Sequence, residues 1–77
     1  MPEPQVIFVD ARGHRCPVPT LRLARALEAA PAGAVVELIA DDPMARIDAP
    51  HLAAQKGLSV LSAETRDDGV VVVRVRA

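Results

Sequence analysis

At 77 residues the chain has room for one domain and a small core. Hydrophobic residues are 51% of it, too many for a disordered segment. Aromatic residues are 1%, a single Phe8, so the core is aliphatic and no stacking platform for bases exists. A net charge of −1 argues against a general nucleic-acid binder, and the apolar runs are too short to span a bilayer.

Residues 1–5 read as a frayed start, and Met1-Pro2-Glu3-Pro4 lacks the charge and apolar stretch of a signal peptide. One cysteine cannot form an internal disulfide or a thiolate metal site. The expectation is therefore a reducing, cytoplasmic setting with no metal and no cofactor. Val6-Ile7-Phe8-Val9 is almost wholly apolar, as in a strand that is paired centrally or buried on both faces. Asp10 ends it and suits hydrogen bonds to the N–H groups of the loop that follows.

Pro17 to about Ala30 predicts a helix, with Leu23, Leu27 and Ala30 at helical spacing. Arg22 and Arg25 share its solvent side, as a solvated face or as a docking surface. Pro31-Ala32-Gly33 stops it. Ala34–Ala40 is the second strand, and strand, helix and strand in succession suggest a right-handed crossover between parallel strands. Asp42 is placed to cap a second helix with Pro43 at its first position. That helix runs to about Lys56, with Met44, Ile47 and Leu52 as its core candidates, and Pro50 either kinks or divides it. Leu58–Thr65 and Val70–Arg76 are the last two strands, joined by a hairpin turn at Asp67-Asp68-Gly69.

The order β-α-β-α-β-β predicts an α/β two-layer sandwich. It is a mixed four-stranded sheet with two helices on one face, built from residues 1–77 as one domain. The bare face would then show Val35, Ile39, Val70 and Val72. Such a patch reads as a surface for weak homodimer pairing or as tolerated exposure.

The chain's one thiol lies where the first loop meets the first helix, in Gly13-His14-Arg15-Cys16-Pro17-Val18-Pro19-Thr20. The opening N–H groups of a helix are unpaired and favour an anion. Prolines cost little there, which suits Pro17 and Pro19. Gly13 supplies an unusual backbone angle just before the thiol. Arg12, Arg15, Arg22, Arg25 and His14 surround it in sequence without an intervening acid. A helix end and basic neighbours bring a cysteine pKa from about 8.5 toward roughly 3.5–7.5, so the expectation is a nucleophilic, solvent-reachable thiolate. A small buried hydrophobe is the alternative. Parallel strands send both helix starts to one sheet edge, which would bring Asp41 and Asp42 near Cys16, and acids there would oppose its ionisation.

Asp10-Ala11-Arg12-Gly13-His14-Arg15-Cys16-Pro17-Val18-Pro19 resembles the signature of the TusA/SirA-like family of small sulfur carriers. Ile39-Ala40-Asp41-Asp42-Pro43 is similar to that family's second recurrent stretch, and the likeness covers roughly residues 6–76. It implies that Cys16 takes sulfur as a persulfide from a cysteine desulfurase or rhodanese and passes it to an acceptor protein. The downstream uses it implies are tRNA thiolation, molybdenum-cofactor assembly and sulfur oxidation, without choosing among them. The family often has a second cysteine where this chain has Ala53. Nothing points to a complete enzyme. His14 and His51 are candidate tuning groups or plain surface residues. A thiol redox or regulatory protein working through mixed disulfides at Cys16, and an interaction module whose cysteine is incidental, remain the other readings.

Overall fold

The structure is a computed structural model that describes residues 5–77. Its elements are β1 (Val6–Asp10), α1 (Val18–Ala29), β2 (Val35–Ala40), α2 (Ala45–Gln55), β3 (Ser59–Thr65) and β4 (Val71–Arg76). The expectation of a frayed start lies outside the described residues for 1–4. Gln5 is tied down, its carbonyl accepting the Val35 N–H at 2.8 Å.

The four strands form one mixed sheet in the order β1-β2-β4-β3. β1 and β2 are parallel, as the helical crossover between them requires, and β4 lies antiparallel to both β2 and β3. Leu23 and Leu27 of α1 and Ala45, Ala49 and Ala53 of α2 pack on a single sheet face. There they meet Val9, Val36, Leu38, Ala40, Val71, Val73 and Val75. The two-layer architecture is the expected one.

Three local expectations are corrected. β1 is an edge strand paired only with β2, not a central one, and Phe8 is 67% exposed. An edge strand with helices on one side buries only the residues that alternate toward them, here Val9 and part of Ile7. In α2 the buried stripe is Ala45, Ala49 and Ala53, while Met44 and Ile47 are 47% and 64% exposed. Alanines four apart let the helix sit close on the sheet, so the larger side chains turn outward; Leu52 alone packs partly against the core. α2 also runs through Pro50 undivided.

The third correction concerns the bare sheet face. Val35 and Val72 are buried and Ile39 and Val70 half-buried, so the expected apolar patch is largely covered. Glu37 and Arg74 are register partners near the middle of that face and form an ion pair at 2.6 Å. The exposed large apolar side chains of the sheet lie instead on its two edge strands, Val6 and Phe8 on β1 and Val60 and Leu61 on β3. The β3–β4 hairpin forms as expected, closed by the Arg66 N–H to the Val70 carbonyl at 2.8 Å.

Candidate functional site

Parallel pairing of β1 and β2 delivers both following loops to one edge of the sheet, and acids of the second loop hold the first. Asp41 accepts the Gly13 N–H on both carboxylate oxygens at 3.0 Å. Asp42 accepts the Cys16 N–H at 2.7 Å on one oxygen and the Met44 N–H at 3.0 Å on the other. Gly13 has φ +85°, a conformation that only glycine adopts without strain. Asp10 accepts the Arg12 N–H at 3.1 Å, in the loop-closing role expected of it.

Asp42 does not cap α2 directly. Pro43 and Met44 form a turn first, and α2 opens at Ala45 behind Met44. The carboxylate still satisfies an N–H two residues on, the local bond that aspartate makes in turns. α1 likewise opens one residue later than expected, at Val18, with Pro17 as its N-cap and Pro19 in its first turn. Cys16 therefore stands two residues before the helix.

The bonds to Cys16 and Met44 hold the Asp42 pKa below the usual carboxylate range, and the charge of Arg15 acts in the same direction. Hydrogen bonds from Arg12 hold Asp10 lower still, from 3.8 to about 2. Both values are depressed by folding. Their contribution is present above the unfolded aspartate value of about 3.9 and is lost as pH falls through the folded values. The urea midpoint should therefore fall between pH ~4 and ~2. Asp42→Asn keeps only one acceptor oxygen, so it should be less stable at neutral pH and show a shallower acid slope. Identical pH profiles for the two chains would contradict these loop bonds.

Cys16 is exposed, as the carrier reading needs, and no other cysteine exists in the chain. Its thiol donates to Asp48 Oδ2 at 2.8 Å. Sulfur and carboxylate line a recess of about 180 Å³ between the start of α1 and α2, with Pro17, Thr20, His51, Leu52 and Gln55. The Thr20 hydroxyl oxygen is buried without a partner among the described residues.

The expected lowering of the thiol pKa is overturned. The hydrogen bond to Asp48 pushes it up, and partial desolvation and the charges of Asp48 and Asp42 add to this. Arg12 and Arg22 do not offset it, because they are engaged elsewhere. Arg12 pairs with Asp10 at 2.8 Å, and Arg22 donates to the Asp10 carbonyl at 2.6 Å. Arg22 and Arg25 line a separate groove on the outer side of α1 with Val18, Leu21, Ala24 and Glu28. His14 and Arg15 line another recess, against Asp41, Asp42 and Pro43.

The model of the family described as "Sulfurtransferase TusA" matches residues 7–77. The chain belongs to the TusA family. It is 38% identical over 63 residues to a protein of Archaeoglobus fulgidus named "Putative sulfur carrier protein", covering 82% of each chain. It is 36% identical over 61 residues to the sulfur carrier protein TusA of Allochromatium vinosum, covering 79% of this chain and 78% of that one. The crystal structure of a SirA-like protein from Desulfitobacterium hafniense matches with a TM-score of 0.81 at 33% identity, over 92% of this chain and 96% of that one. In this TusA-family chain the position expected for a second cysteine, Ala53, lies in the core. No helix among the described residues is long and apolar enough to cross a membrane.

Asp48 was not anticipated from the sequence. The signal for it is helical spacing: Asp48, His51, Leu52 and Gln55 fall at i, i+3, i+4 and i+7, one face of α2. That face looks toward the start of α1.

Proposed function

We propose that Cys16 receives sulfane sulfur from a donor protein as a persulfide and relays it to an acceptor protein. The observation that carries this reading is a lone thiol exposed at the sheet edge of a TusA-family fold, with no second thiol to attack what it carries. A neighbouring thiol would resolve a persulfide to a disulfide and release sulfide; here none can. Pro17 and Pro19 restrain the chain just after the thiol, and Gly13, Asp41 and Asp42 fix the loop before it. The donor is a protein persulfide of the cysteine-desulfurase or rhodanese kind. The side of α1 carrying Val18, Leu21, Arg22 and Arg25 is the docking surface for such partners, with arginines to meet acidic groups around an apolar strip.

The test is to incubate the chain with a cysteine desulfurase and cysteine and to measure intact mass. The expected result is a gain of one sulfur atom that a reductant removes. Mixed disulfides without that gain would support a redox role instead, and a thiol inert to both would leave the cysteine incidental.

A further inference from the structure

We infer that Asp48 is a positioning residue for the carrier thiol: its carboxylate holds the empty Cys16 in its protonated form, turned into the recess between α1 and α2. The inference rests on the carrier reading above and concerns what happens at the same sulfur before loading. A sulfur 2.8 Å from a carboxylate oxygen has to keep its proton, because a thiolate there would face a second negative charge. The charged and titratable groups around the sulfur are Asp48 and His51 from α2 and Asp42 from the loop before it; Arg15, next in sequence, acts on Asp42. The nearest is an acid, and the arginines on which a stable thiolate would depend are committed to Asp10 or point into other recesses.

The consequence is an exposed thiol that reacts slowly with stray electrophiles and oxidants, since the thiolate is the attacking form. Loading remains balanced. Cys16 sulfur bonds to the outer sulfur of the donor persulfide, and the donor's S–S bond breaks. The proton that Cys16 gives up ends on the donor's departing thiolate. Nothing is oxidised or reduced overall, and Asp48 is the acceptor nearest to that proton along the way. Once Cys16 carries a second sulfur, its Sγ no longer has a proton to donate and the bond to Asp48 is gone.

The measurement is the rate of Cys16 alkylation by iodoacetamide from neutral to strongly alkaline pH, for the unchanged chain, Asp48→Asn and Asp48→Ser. Both variants should react roughly three- to tenfold faster at neutral pH, as expected for removing one charge at contact distance near the surface. At high pH, where every thiol is ionised, that advantage should vanish and the variants should react no faster than the unchanged chain. Coincident profiles would overturn the inference. So would variants that stay faster on the alkaline plateau, because that result means improved access rather than easier ionisation. Sulfur loading of the unchanged chain, read by mass, stands apart: its failure would remove the carrier reading and leave the alkylation result intact.

Discussion

Cys16→Ser is expected to fold as well as the unchanged chain and to carry no sulfur. The side chain is exposed, and it bonds to Asp48, which a serine hydroxyl can also do. Surface substitutions of this kind change stability by about 0.5 kcal/mol or less. The backbone bond from residue 16 to Asp42 does not depend on the side chain. Loading, by contrast, should fall to nothing, because a hydroxyl does not take sulfane sulfur and no other thiol is present. Equal urea midpoints together with a complete loss of mass gain are the expected pair of results. A Cys16→Ser chain that still gained sulfur would place the chemistry elsewhere.

Leu38→Ala should have the largest effect on stability. Leu38 lies at the centre of β2, fully buried, between its register partners Val9 of β1 and Val73 of β4. Leu38 and Leu23 are the largest fully buried side chains, and the one aromatic ring, Phe8, lies outside on the edge strand. Its neighbours in the core, Leu23 and Leu27 among them, are themselves buried and held by the same packing. Leucine-to-alanine changes at such sites cost about 2–5 kcal/mol. A domain of this size has about 4–12 kcal/mol in all. The variant should lose a large part of its stability, seen as a lower urea midpoint at unchanged slope. A loss of less than about 1 kcal/mol would contradict the packing described here.

The order of elements, the parallel crossover and the hairpin were legible because each rests on local chemistry. Gly33 and Gly69 take positive φ where the chain turns, and the runs between them change period from helix to strand. Edge and centre were not legible at β1. Val6-Ile7-Phe8-Val9 is apolar on both faces, and composition does not tell which neighbour a strand lacks. Nor was the buried side of α2, since alanines carry little periodic signal and Met44 and Ile47 drew attention to the wrong face. At the site, the two loops were expected to meet, and Asp41 and Asp42 do reach Gly13 and Cys16. The charge balance came out opposite. Arginines close in sequence pair with Asp10, while the group that governs the sulfur, Asp48, is 32 residues away along the chain.

Trapping the state of Cys16 in living cells is the most direct test. The chain is purified in the presence of an alkylating agent that caps persulfides, and the peptide spanning Cys16 is sequenced by tandem mass spectrometry. A fraction of that peptide with one additional sulfur atom on Cys16 is the expected result. Only plain thiol, or only disulfides to other molecules, under conditions in which a known carrier shows its persulfide, would contradict the account.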